Sequence, residues 1–307
     1  MKTIKPKYLI IGGAGFIGRS LAKSFKAKDA SVFIFDKKDK LKKFQNELKK
    51  FKKYEGDIKY ATSFKKLKYQ FDKIFFFAAE PSTYICEKYP NTFLNSNIIG
   101  LLNFKKWCEE SKPKEIVFSS SMGVYGDLAP NARETSSTNP ISNYGSGKLF
   151  GENLLLQLKR IGINITILRF FNVYGPGQDF KNMNQGMLSI YLSQIFKHKK
   201  VFVKGSLNRF RDCIFIDDVI RACKMRYSQR NKNVYNVGSG VKTTVKNLLK
   251  KLFNKLNLPV NIQVLDGHKG DSFGIFANIE KLKKRGWEPK INLDDGIEKT
   301  INWLKAK

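Results

Sequence analysis

One short run constrains the fold of this chain more than any other. Tyr8-Leu9-Ile10-Ile11 leads straight into Gly12-Gly13-Ala14-Gly15-Phe16-Ile17-Gly18, and a helix-length segment follows. Glycines at 12, 15 and 18 let the backbone turn tightly, let a pyrophosphate approach, and let the helix pack against the strand. The helix start, at Phe16 and Ile17, then offers amide donors and a partial positive charge to phosphates. An acid, Asp36, closes the next apolar run, 18 residues after Gly18. A carboxylate there takes both ribose hydroxyls and repels a 2′-phosphate, so a dinucleotide site that prefers NAD to NADP is expected. Lys37 and Lys38 follow directly and pull the other way. A merely structural glycine turn would leave the strand–loop–helix–strand–Asp series unexplained.

Further apolar, β-rich runs repeat this alternation: Val32–Phe35, Ile74–Phe77, Glu115–Ser119, Asn164–Arg169 and Val234–Val237. Between them lie helix-length segments such as Ile17–Phe25, Asn97–Glu110 and Gly147–Arg160. Strand–helix alternation predicts an α/β fold, a doubly wound parallel sheet of the Rossmann type. After a Gly/Pro/Asn-rich loop, residues 172–186, the elements shorten. The expected organisation is a cofactor-binding domain over 1–170, rejoined by a segment near 212–240, with a smaller C-terminal α/β substrate domain from 171–211 and 241–307. No low-complexity linker divides them, so both should share one cleft.

Composition removes several function classes. With 42% hydrophobic and 27% charged residues the chain can build a packed core. Its longest apolar run, Ile74–Ala79, falls far short of the roughly 20 residues needed to cross a bilayer. The lysines before Tyr8–Ile11 superficially suggest an export signal, but the glycines cut the apolar part short, and a cytoplasmic protein is expected. Cys86, Cys108, Cys213 and Cys223 form no CxxC pair, and His198 and His268 are the only histidines, so no metal site is expected. The net charge of +31 raises the question of a nucleic-acid partner. The lysines are spread over the whole chain, however, as on a solvated helix face across Lys38–Lys53, where Leu41, Phe44, Leu48 and Phe51 recur every three or four residues. No nucleic-acid partner and no membrane insertion are expected, only a general attraction for phosphorylated substrates.

Tyr-x-x-x-Lys occurs three times, at Tyr69/Lys73, Tyr84/Lys88 and Tyr144/Lys148. The first leads into a strand, where residues four apart do not share a helix face, and the second has no polar strand end beside it. Tyr144 opens a helix, which puts Lys148 one turn later on the same face. It also follows a strand ending in Ser119-Ser120-Ser121, and active sites of such sheets lie at the carboxyl ends of strands.

With these residues in view, the chain resembles the extended short-chain dehydrogenase/reductase family, in its NAD-dependent nucleotide-sugar epimerase/dehydratase branch. The resemblance rests on ordered motifs: GGAGFIG (12–18), Asp36, Gly56-Asp57-Ile58, AAEPS (78–82), Asn97 with Gly100, SSSMGVYG (119–126) and YGSGK (144–148). LRFFNVYGPGQ (168–178), RFRDCIFIDDV (209–219), YNVGSG (235–240), GDSFGIFAN (270–278) and RGWEP (285–289) continue it over nearly the whole chain. It implies that Tyr144 is the acid/base, with its phenol lowered toward neutral by Lys148 and the nicotinamide charge. Ser121 would hydrogen-bond the reacting oxygen, with Ser120 as the alternative. Asp57, Ile58, Ala78, Ala79 and Ser119 would complete the cofactor site. Ser82, Asn172 and Asp271 would face the substrate, and Arg211 would clamp its pyrophosphate. A homodimer is also implied.

Two departures stand out. Where relatives carry a second phosphate-binding arginine this chain has His268, so Lys269 or Arg209 would share that task. The position that gates bulk at sugar C2 is Ile275. Dehydratases carry an acidic pair next to the serine and decarboxylases a Glu, whereas Met122 and Gly123 here transfer no proton. A C4 epimerase working through a 4-keto sugar is therefore the expected activity. A nucleotide-sugar 4-dehydrogenase or 4-keto reductase would use the same residues, and a non-catalytic NAD- or RNA-binding role would leave Tyr144, Lys148 and Ser121 without a purpose.

Overall fold

The computed structural model describes residues 5–127, 130–184, 186–227, 233–266 and 273–306. Seven of its strands are β1 (Lys7–Ile11), β2 (Ser31–Asp36), β3 (Lys52–Glu55), β4 (Lys73–Phe76), β5 (Glu115–Ser121), β7 (Asn164–Phe170) and β12 (Asn233–Val237). They form one parallel sheet in the order β12-β7-β5-β4-β1-β2-β3. The α/β doubly wound architecture expected from the alternation is thus present, and all six expected strands lie within it.

The sheet is covered on both faces because its strands are apolar on both. Along β1, Leu9 and Ile11 enter one core with Phe33, Ile74, Phe76, Phe118 and Ile167, while Ile10 enters the other with Ile34, Phe75, Val117 and Leu168. The helices are α1 (Phe16–Ser24), α2 (Lys38–Lys43), α3 (Thr83–Lys88), α4 (Pro90–Phe93), α5 (Gly100–Ser111) and α6 (Asn143–Leu156), then α7 (Met187–His198), α8 (Ile216–Lys224), α9 (Val245–Lys255), α10 (Glu280–Lys283) and α11 (Leu293–Lys305). On the first face Phe76 and Phe104 of α5 meet with ring centroids 4.4 Å apart. That contact ties the helix to the strand beside the site.

The remaining strands form three smaller sheets. β6 (Asn131–Ala132), β10 (Phe210–Arg211), β13 (Thr243–Thr244) and β15 (Gly274–Ala277) make a four-stranded sheet. β8 (Asn172–Tyr174) pairs with β11 (Cys213–Phe215), and β9 (Val201–Lys204) with β14 (Ile262–Leu265). α8 packs on α1, so the segment after β11 returns to the main sheet.

The expected amphipathic helix across Lys38–Lys53 is corrected. α2 ends at Lys43, turns follow, and Lys52–Glu55 becomes the edge strand β3. Leu41, Leu48 and Phe51 are still buried, so the apolar spacing reports burial and not helix. β3 bonds to β2 on one side only, and its lysines suit an exposed edge. All four cysteines are buried free thiols, and among the described residues no helix is long and apolar enough to cross a membrane.

Candidate active site

The main cleft, roughly 660 Å³, opens where the strand order reverses between β1 and β4. Gly12 has φ +80°, and a Cβ there would stand 2.6 Å from the Ala78 nitrogen. A Cβ on Gly18 would meet the Gly12 carbonyl at 2.4 Å, so both positions require glycine. α1 starts at Phe16 with Gly15 as its N-cap, no side-chain cap and no acid in its first turn. Its free amides therefore face the cleft as an anion site. Arg19, one residue past the motif, fastens this loop: Nη1 donates to the Ala14 carbonyl and Nη2 to the Gly177 carbonyl, both at 2.6 Å. Its guanidinium lies 3.5 Å from the Phe44 ring centroid.

Asp36 ends β2 on the cleft wall, where its Oδ2 accepts from the Ala14 amide at 2.8 Å and its Oδ1 from the Lys37 amide at 2.8 Å. Lys37 Nζ turns toward Asp57 Oδ2 at 3.5 Å. Asp57 itself stands beside the cleft while Gly56 and Ile58 line it. The backbone cradle, the uncapped helix and the acid together fit a dinucleotide, with Gly12, Gly15, Phe16, Ile17, Gly18, Asp36, Ile58, Ala78, Ala79 and Ser119 along its path. NAD is accordingly expected to bind at least tenfold more tightly than NADP, about 1.4 kcal/mol. Equal affinities in calorimetry would show that Lys37 and Lys40 override Asp36.

The candidate catalytic residues come from β5 and α6. Ser142 caps α6, its Oγ accepting from the Gly145 amide at 3.1 Å, which fixes the helix start and presents Tyr144 to the cleft. Tyr144 and Ser121 line the cleft together, and the Ser121 hydroxyl near the phenol favours its ionised form. Ser121 Oγ also accepts from the Gly123 amide at 3.1 Å. Ser120, the alternative, has its hydroxyl proton committed to Glu152. Lys148 is buried, and its Nζ donates to the Ser119 carbonyl at 2.7 Å and lies 5.8 Å from the Tyr144 ring centroid.

The expected depression of the phenol is not what these protein groups produce. Burial pushes Tyr144 up to about 12 and pushes Lys148 down to about 8. The lysine spends its short bond on a carbonyl, so its cation does not contact the phenol oxygen. In the protein alone the phenol therefore keeps its proton, and a positive charge beside it is needed before Tyr144 can act as a base.

Sequence reading assigned no role to four residues at this site, Glu152, Arg169, Asn97 and Glu80. Glu152 follows Tyr144 and Lys148 at the same four-residue step, a signal that was available, and Arg169 pairs with it at 2.7 Å. Asn97 sits in a π-helical stretch, Leu94–Ile99, and both accepts from the Glu80 amide at 2.7 Å and donates to its carbonyl at 3.0 Å. Glu80 thereby becomes a cleft-lining carboxylate.

At the substrate end the residues are less gathered. Ser82 and Asn172 line the cleft. Ser82 Oγ donates to the Asn184 carbonyl at 2.8 Å, and Asn172 Nδ2 donates to the Asp212 carbonyl at 3.0 Å. Arg209 and Arg211 are not among the described residues lining the cleft. Arg211 is buried on β10 and donates to the carbonyls of Phe210 and Phe273. Burial and the adjacent Arg209 cation push it down to about 10. Ile275 packs inside a buried cluster with Val124, Phe171 and Ala277. His268, Lys269 and Asp271 lie outside the described residues.

The model of the NAD dependent epimerase/dehydratase family matches residues 8–238. The chain is 29% identical to a UDP-glucuronate 4-epimerase of Thermodesulfobacterium geofontis, over 97% of this chain and 96% of the relative. It is 28% identical to a dTDP-4-dehydro-6-deoxyglucose reductase of Escherichia coli, over the full length of both. Among solved structures it is similar to the UDP-glucose 4-epimerase of Thermotoga maritima with UDP-glucose, at a TM-score of 0.89 and 28% identity over 98% of this chain and 99% of that one. The cradle, the Tyr144–Ser121–Lys148 cluster and these likenesses agree, and the chain belongs to the NAD dependent epimerase/dehydratase family.

Proposed function

We propose that this protein is an NAD-dependent epimerase of a nucleotide-activated sugar, acting at C4 through a 4-keto sugar. The observation that carries the reading is that Tyr144, Ser121 and Lys148 line one cleft, with Lys148 Nζ 5.8 Å from the Tyr144 ring centroid, while Met122 and Gly123 hold no acid. NAD, when bound, supplies the hydride acceptor and later the donor, together with a positive ring. Tyr144 accepts the proton of the sugar C4 hydroxyl and returns it at the end. Ser121 orients the same oxygen, and Lys148 supplies the positive charge that favours the phenolate. With no acid at Met122 or Gly123, just after β5, neither water nor carbon dioxide is eliminated, and a ketone turned over in the cleft is reduced on its other face.

Asn172 supports the substrate phosphates in this reading, and residues 171–211 and 241–307 form the part that grips the nucleotide. Arg211, Arg209 and the 267–272 segment would complete the grip. A homodimer belongs to the same reading, with Leu94, Ile99 and Leu102 exposed along one helical stretch. The likeness to a 4-keto reductase keeps net reduction as the second reading.

An epimerase regenerates its own NAD. Steady conversion of UDP-glucose or a related sugar should therefore raise no absorbance at 340 nm and need no added cofactor once the protein is loaded. Reduced cofactor accumulating one-for-one with product would replace epimerisation with net oxidation.

A further inference from the structure

Glu80 follows the carboxyl end of β4 and lines the cleft, as do Ser82, Ser121 and Tyr144. Its position is built, not incidental. Asn97 binds both its amide and its carbonyl, and Cys86 Sγ donates to that carbonyl at 3.5 Å. The carboxylate Oε1 accepts from the Ser82 amide at 3.1 Å, leaving Oε2 to accept from a ligand. The carboxylate is close enough to Tyr144 that its negative charge adds to the rise of the phenol.

The cations lining the cleft are placed elsewhere. Arg19, Lys37, Lys40 and Lys43 belong to α1, α2 and the turn before α2. The fifth, Lys148, is buried with Nζ on the Ser119 carbonyl. Among the described residues, the end of the cleft that holds Tyr144 therefore presents a fixed carboxylate and no accessible counter-charge.

We propose that Glu80 determines the sugar class, selecting nucleotide sugars with a neutral C5 substituent and rejecting uronates. A neutral hydroxyl there meets an acceptor, whereas a sugar carboxylate would share a partly desolvated space with a like charge. Specificity of this kind comes from the repulsive element. The inference rests on the reading of the protein as a nucleotide-sugar 4-epimerase.

The test compares UDP-glucose with UDP-glucuronate in wild type and in Glu80→Gln, which keeps an acceptor for the Ser82 amide. Both kcat/KM and calorimetric Kd are measured on the NAD-loaded protein. Wild type should favour the neutral sugar by at least about tenfold, roughly 1.4 kcal/mol. Glu80→Gln should narrow that ratio severalfold by improving the uronate. A wild-type preference for the uronate, or an unchanged ratio in the variant, overturns the role of Glu80. Turnover of neither sugar would count against the proposed function, and the ratio of binding constants would still decide Glu80.

Discussion

Tyr144→Phe is expected to lower turnover by about 10² to 10⁴ while the dinucleotide still binds. The substitution removes one oxygen and keeps the ring, so packing on the wall of the cleft changes little. What disappears is the phenol oxygen that shares the cleft with Ser121 at the carboxyl end of β5. Because burial holds the proton on this phenol, up to about 12, and brings Lys148 down to about 8, the pair is poised for exchange of a proton once a positive charge lies beside them. Ser121 alone has no comparable proton affinity and cannot substitute. Stopped turnover with unchanged NAD affinity in calorimetry is the expected pair of results. Wild-type turnover in this variant would move the proton transfer away from Tyr144.

The contrast between the legible and illegible parts of this molecule has physical causes. β1, β2, β4, β5, β7 and β12 are buried on both faces, so each reads as a continuous apolar run whatever its neighbours are. β3 has no such signature, since Lys52–Glu55 bonds to β2 alone and its side chains meet solvent. The Tyr144/Lys148 pair was legible as a candidate because the two residues are local, one helical turn apart. The glycine loop was legible because its constraints are steric and act within seven residues.

The substrate end obeys no local rule. Arg211 lies on a two-residue strand, and one of the carbonyls it bonds belongs to Phe273, 62 residues away. Asn172 reaches across 40 residues to the Asp212 carbonyl. Family likeness singled out both residues, but only the fold determines what their side chains touch. Glu80 shows the same limit more sharply. Nothing in AAEPS marks it as a wall of the cleft, because its place depends on Asn97 and on the π-helical stretch that aims Asn97 at it.

The largest stability effect should come from Glu152, on α6 two turns after Tyr144. Its carboxylate is buried and takes three donors: Arg169 Nε at 2.9 Å, Arg169 Nη2 at 2.7 Å and the Ser120 hydroxyl. Arg169 lies on β7 and Ser120 on β5, so one carboxylate ties α6 to two adjacent strands. Arg169 also stacks on Tyr125, 4.8 Å from its ring centroid. Replacing Glu152 with Leu strands a buried guanidinium, which costs roughly 3–5 kcal/mol. Removing both charges in Glu152→Leu/Arg169→Met should recover most of that loss, because the pair itself earns little against its desolvation. Urea unfolding of the two variants and the wild type measures both quantities. A single variant within about 1 kcal/mol of wild type would show that water reaches Arg169, and a double variant less stable than the single would show that the ion pair contributes net stability. If the double variant folds normally yet turns over slowly, the network's remaining task is to hold Tyr144 and Lys148 in register with Ser121. Ser120 loses its acceptor in that variant, and the end of β5 is where the looseness would be felt.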